Sequence, residues 1–91
     1  MALKITTLTT EVTTVKLDGR LSYKEATELA RLCKHLVNPV VIDLSGLFFA
    51  DDEGVNVLAD LEAHGIELVR PRPYLSVLLR DRIKGTPESD A

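Results

Sequence analysis

Ninety-one residues are enough for one domain with one modest core, and an apolar fraction of 45% with 27% charged residues is ordinary for a globular protein. A net charge of −3 gives no general electrostatic case for binding nucleic acid or anionic membrane, and no run approaches the roughly 20 apolar residues of a membrane span. Cys33 is alone, which leaves no intrachain disulfide or multi-cysteine metal site; with no signal-peptide core in Met1 to Thr6, a reducing, cytoplasmic setting is expected.

Leu3 to Thr10 and Val12 to Leu17 are rich in Thr, Val, Leu and Ile, and Val15 and Leu17 alternate with Lys16 and Asp18 as in a half-buried strand. Their link at Thr9-Thr10-Glu11 is too short for a crossover, so an antiparallel hairpin is expected, ending at Gly19 and Arg20. The Thr-rich first strand suggests a solvent-exposed edge. Ser22-Tyr23-Lys24-Glu25 has the form of a capping box, and Ala26, Leu29, Ala30, Cys33, Leu36 and Val37 continue as one apolar helical stripe that Asn38-Pro39 stops.

Val40 to Leu44 reads as a central strand covered on both faces, with Asp43 either buried and functional or, more economically, capping a turn at Ser45-Gly46-Leu47. After Phe48 and Phe49 come three consecutive acids and a glycine, Asp51-Asp52-Glu53-Gly54, and then a helical pattern from Val55 to His64. Val55, Leu58 and Leu61 make its core face with Val57 at the edge, and Gly65 suits its end. Ile66 to Val69 reads as a further interior strand, broken by Pro71 and Pro73, and Tyr74, Leu75, Val77, Leu78, Leu79 and Ile83 outline a last helix. The expected product is a single α/β domain over 1–84. It has a small mixed sheet of about four strands, beginning with the hairpin, and three main helices packed against it. A flexible polar tail spans 85–91.

The ordered set Val15-Lys16-Leu17-Asp18-Gly19-Arg20-Leu21, Ile42-Asp43-Leu44-Ser45-Gly46-Leu47, Asp51-Asp52-Glu53-Gly54-Val55 and Gly65-Ile66-Glu67-Leu68-Val69 resembles the STAS domain of sulfate transporters and bacterial anti-sigma-factor antagonists. The resemblance covers about Leu3 to Ile83 and rests on the order of the pieces, since each alone is a short apolar pattern with a glycine. It implies a protein-binding module and no enzyme, with no cofactor, catalytic residue or metal. In antagonist members the turn reads Asp-Ser-Ser-Gly or similar, and a kinase that is also the anti-sigma factor phosphorylates a Ser there. By this resemblance Asp51 matches the leading Asp, Asp52 the first hydroxyl residue, Glu53 the phosphorylated Ser and Gly54 the Gly of the motif. No hydroxyl is left in the turn, and Ser22 stands where antagonists often carry Asp.

The acids have two compatible readings. One is helix capping, since Asp is a preferred N-cap worth about 1 kcal/mol and further first-turn acids gain about 0.3–1 kcal/mol each from the dipole. The other is a fixed charge at Glu53 where relatives acquire one, partial because a carboxylate carries less charge than a phosphate. The expected partner surface combines Asp51, Asp52, Glu53, Gly54, the exposed helix start at Val55 and Asn56, and the Arg20-Leu21-Ser22 loop. The implied partner is a protein, an anti-sigma kinase-like one or, alternatively, a transport ATPase served by a cytoplasmic STAS subunit. No nucleic acid or membrane insertion is expected, and ligand binding by the fold is a third possibility without pocket-specific residues. Elsewhere, Ser45 is expected to bond its own turn, Cys33 to be a buried inert thiol, and His35 and His64 to lie exposed near helix C-termini. Arg70, Arg72, Arg80, Arg82 and Lys84 read as a solvated basic face, with a protein-docking rim against an acidic partner as the alternative.

Overall fold

The period-two alternation of the first strands and the 3.6-residue stripes that follow produce the elements expected of them. The computed structural model describes residues 3–36 and 39–84, with side chains through Asp81. In chain order these are β1 (Leu3–Thr9), β2 (Thr13–Leu21), α1 (Tyr23–Lys34), β3 (Val40–Ala50), α2 (Asp52–Ala63), β4 (Glu67–Val69) and α3 (Pro73–Lys84). The sheet order is β1-β2-β3-β4. β1 and β2 form the antiparallel hairpin, while β2–β3 and β3–β4 are parallel. The tail at 85–91, Val37 and Asn38 lie outside the described residues.

One core joins sheet and helices. Val15, Leu17 and Leu21 of β2 and Ile42, Leu44 and Leu47 of β3 are buried with Leu29 of α1, Val55 and Leu58 of α2, and Leu75 and Leu79 of α3. α2 lies between α1 and α3 and packs against β3 and β4. The opposite side of the sheet carries Lys4, Thr6, Lys16 and Asp18, which lie beside one another through the registers Lys4↔Asp18 and Thr6↔Lys16. β3 is therefore covered by helices on one face only, which corrects the two-faced reading of its apolar run: Val41 is half-buried and Ile42 fully buried.

Other boundaries differ for identifiable reasons. β2 does not end at Gly19 but continues through Arg20 to Leu21, paired with β3. β3 has no turn at Ser45-Gly46-Leu47 and runs on to Ala50. β4 is a three-residue edge strand, not an interior one. α1 ends at Lys34 with His35 as its C-cap, before Asn38-Pro39 is reached. α2 ends as expected: Gly65 has φ 98, the left-handed region that glycine enters without a Cβ penalty, and its N–H donates to the Glu62 carbonyl at 3.0 Å.

Nine residues of β2 face eleven of β3. The difference is taken up by two register shifts, from Lys16↔Asp43 to Asp18↔Gly46 and from Gly19↔Leu47 to Arg20↔Phe49. At each, β3 carries one extra residue, as in a β-bulge. The second bulge lets Leu47 and Ala50 both face the core while the consecutive Phe48 and Phe49 both stay exposed.

Candidate functional site

Because β2 and β3 are parallel, the turns leading to α1 and α2 emerge side by side at one end of the sheet. Asp51 joins them. Its backbone is extended (φ −79°, ψ −178°), the usual N-cap conformation, and its Oδ1 accepts from the Gly54 N–H at 2.8 Å. Its Oδ2 accepts from the Tyr23 N–H, the first residue of α1, at 3.1 Å. Its own N–H donates to the Leu21 carbonyl at 3.1 Å. One carboxylate thus satisfies orphan amides of two helices. Ser22 occupies the N-cap position of α1, but its side chain makes no cap bond, so the expected capping box does not form; the acceptor comes instead from the neighbouring turn.

Gly54 lies against the same carbonyl. A Cβ built there would be 2.5 Å from Leu21 O and 3.1 Å from Leu21 Cγ. Gly54 and Val55 are both buried, Val55 as part of the core, which corrects the expectation of an exposed helix start at Val55. These two shape the turn and present no side-chain surface. Asp52, Glu53, Asn56 and Arg20 are exposed, Ser22 half-buried. Asp52 and Asn56 take part in further interactions of the chain. The Glu53 side chain makes no hydrogen bond or ion pair with any described residue, so within the chain its carboxylate acts only on the helix dipole, for about 0.3–1 kcal/mol.

Sequence reasoning missed the aromatic flank of this turn. The Phe48 ring is 66% exposed and the Phe49 ring 40%, and Tyr23 is 63% exposed. The Arg72 guanidinium carbon stands 4.6 Å from the Phe48 centroid, and that of Arg20 stands 4.7 Å from the Phe49 centroid. Arg72 Nε has no hydrogen-bond acceptor among the described residues, so stacking is what positions that side chain. The Tyr74 hydroxyl donates to the Leu47 carbonyl at 3.2 Å, holding α3 against the bulge; its pKa is pushed up by burial, opposed by Arg72. Two consecutive phenylalanines were the available signal, but strict alternation would bury one of them.

Asp43 is buried in β3 and pairs with Arg70, whose Nη2 donates to its Oδ2 at 2.7 Å and whose Nε donates to Oδ1 at 3.4 Å. The Ser45 N–H also donates to Oδ1, at 2.9 Å, so the expected local bond exists, though within a strand and secondary to Arg70. The hydrogen bond from Arg70 holds the Asp43 carboxyl well below the usual range, burial opposes it, and the Ser45 bond adds to it. Arg70 reaches Asp43 from a left-handed backbone (φ 53), uncommon without glycine. A carboxyl whose folded pKa lies below its unfolded one contributes stability above the unfolded value, about 4, and loses it as pH falls toward the folded value. Asp43→Asn is therefore expected to destabilise most at neutral pH, with the gap to wild type narrowing below about pH 4. Urea midpoints at neutral and acidic pH check this, and a gap independent of pH would refute it.

The remaining candidates are structural. Cys33 is buried and its thiol pKa is raised by burial. His35 and His64 are exposed helix C-caps, their Nδ1 atoms 2.9 Å from the Arg31 carbonyl and 2.7 Å from the Asp60 carbonyl. A groove of about 530 Å³ lined by Cys33, Leu36, Leu61, His64 and Ile66 lies at the C-terminal ends of α1 and α2, away from the acidic turn. Among the described residues no group of three or more His, Cys, Asp or Glu side chains is placed to hold a metal, and no helix is long and apolar enough to cross a membrane.

No family model matches the sequence, and no curated protein matches it. Solved structures do. The anti-sigma factor antagonist SpoIIAA in its unphosphorylated form is similar over 88% of this chain and 83% of its own, with 21% identity and a TM-score of 0.64. A crystal structure of Mglu is similar over 77% of this chain, with 20% identity and a TM-score of 0.62, but the match spans only 20% of that longer chain. The four-stranded mixed sheet with three helices is thus the STAS fold that the ordered sequence pieces led one to expect.

Proposed function

We propose that the chain is a non-catalytic protein-binding module of the anti-sigma-antagonist kind, working in partner-switching regulation of transcription in the cytoplasm, with Glu53 supplying permanently the charge that antagonists gain by phosphorylation. The observation that carries this reading is the division of labour at the turn. Asp51 does the side-chain capping of α2, while Glu53, two residues on, is exposed and bonded to no described residue. Capping thus accounts for Asp51 and leaves the Glu53 carboxylate available to a partner. The likeness to an antagonist in its unphosphorylated form supports the class of partner.

A partner suited to this turn presents Arg or Lys to Glu53, and a groove built for a neutral Ser rejects it, because an unpaired buried carboxylate is costly. A charge-assisted hydrogen bond contributes about 1.5–3 kcal/mol, so Glu53→Ser is expected to weaken binding to a partner that presents Arg or Lys at this turn by roughly tenfold or more. Glu53→Gln should behave the same way, since it removes the charge at constant shape. Titration calorimetry with the three proteins is the test, and equal affinities would overturn the proposal.

A further inference from the structure

We infer that the bulge at Phe48-Phe49 builds a second contact surface, independent of the reading of Glu53, that accepts a protein segment pairing a carboxylate with an apolar side chain. The two rings are consecutive in the chain and both exposed, so they fall within one contact footprint. Each carries a guanidinium on it, Arg72 over Phe48 and Arg20 over Phe49. The ion pairs among the described residues, Lys16–Asp18, Glu28–Arg31 and Asp43–Arg70, involve neither arginine.

An arginine stacked by its face keeps the in-plane N–H fork at its edge for a bidentate carboxylate, and it arrives pre-ordered. Exposed aromatic and arginine side chains held rigidly together are the composition of interface hot spots. Charge selects the occupant. The chain is net negative and Asp51, Asp52 and Glu53 follow directly, which disfavours a polyanion such as nucleic acid, whereas a short segment can place one carboxylate on the arginines and an apolar residue on the rings.

The test is selection of a random dodecapeptide phage library on the full chain, counter-selected on Phe48→Ala. Enriched peptides are expected to combine Asp or Glu with Leu, Ile or Phe. A synthetic copy should bind Phe48→Ala and Arg72→Gln at least about tenfold more weakly than wild type, and Glu53→Ser as well as wild type. Both substituted residues lie outside the core, and thermal melts verify that each variant is folded. Arg20→Gln provides an independent arm if either fails to fold. Failure of enrichment over the counter-selection, or enrichment of basic or acid-free peptides, overturns the inference. So do displacement of the peptide by a mixed-sequence single-stranded oligonucleotide and a Phe48-dependent dimer in sedimentation. Loss of binding in Glu53→Ser would assign the contact to the acidic turn and overturn the second surface.

Discussion

Gly54→Ala is expected to destabilise the fold by about 1–3 kcal/mol, the usual cost of overpacking. Helix propensity alone predicts the opposite sign, since Ala in place of Gly in a helix gains about 1 kcal/mol. The clash decides. The new Cβ would lie 2.5 Å from Leu21 O, a backbone atom that already accepts the Asp51 N–H, and 3.3 Å from Asp51 Oδ1, which accepts the Gly54 N–H. Neither oxygen can retreat without losing its bond, so α2 must lift away from β2. At about 4–8 °C per kcal/mol for a domain of this size, the melting temperature should fall by roughly 10 °C. A thermal melt showing neutral or stabilising behaviour would mean that α2 shifts without cost and that its position on Leu21 is unimportant.

The glycine of the turn was visible in the sequence, but the reason for it was not. Resemblance placed Gly54 in a motif, while the demand for it comes from Leu21, thirty-three positions earlier in the chain, brought close only by parallel pairing of β2 and β3. The same limit separates what was legible from what was not across the molecule. Alternation in β2 and the stripe Ala26, Leu29 and Cys33 are local patterns, and they predicted element type and buried face correctly. Gly65 closes α2 by its own conformational freedom and was equally readable.

Features that depend on two distant segments were misread or missed. A local reading places Asp43 in its own turn because its dominant partner, Arg70, is twenty-seven residues away. The capping box at Ser22 looked complete, yet the acceptor for Tyr23 comes from Asp51. The bulges shift the period of β3, and a period-two reading that buries Leu47 exposes Phe48 and buries Phe49, so the exposed pair and its arginines were invisible. At the candidate site the acids were legible as charges. Which acid caps the helices and which leaves its carboxylate unbonded to any described residue depends on contacts between distant segments.

Asp51→Ala is the complementary experiment, since it removes both side-chain caps, including the one that crosses to α1, and leaves Gly54 and the backbone bond to Leu21 in place. Each N-cap bond contributes about 0.5–2 kcal/mol, and two are lost, one of them solvent-exposed, so a destabilisation of about 2 kcal/mol is expected. Asp51→Asn separates the two. Asparagine caps a helix about as well as aspartate, but its amide has one acceptor oxygen and its NH2 cannot accept from a backbone amide. Because the two N–H groups address different carboxylate oxygens, the single amide oxygen at this geometry serves Gly54 or Tyr23, and the substitution should cost roughly half as much. Amide hydrogen exchange at Tyr23 and Gly54 reads the outcome directly: both amides lose protection in Asp51→Ala, one in Asp51→Asn. If Tyr23 exchange is unchanged in both variants, the carboxylate does not link the helices. If the link is real, it sets the Arg20-Leu21-Ser22 segment at a fixed position relative to Glu53. On the proposed reading, Asp51→Asn is then expected to alter partner binding through geometry, with Glu53 itself untouched. Glu53→Gln alters binding through charge and leaves exchange at Tyr23 as it was. That pair of responses distinguishes the acid that builds the surface from the acid that is displayed on it.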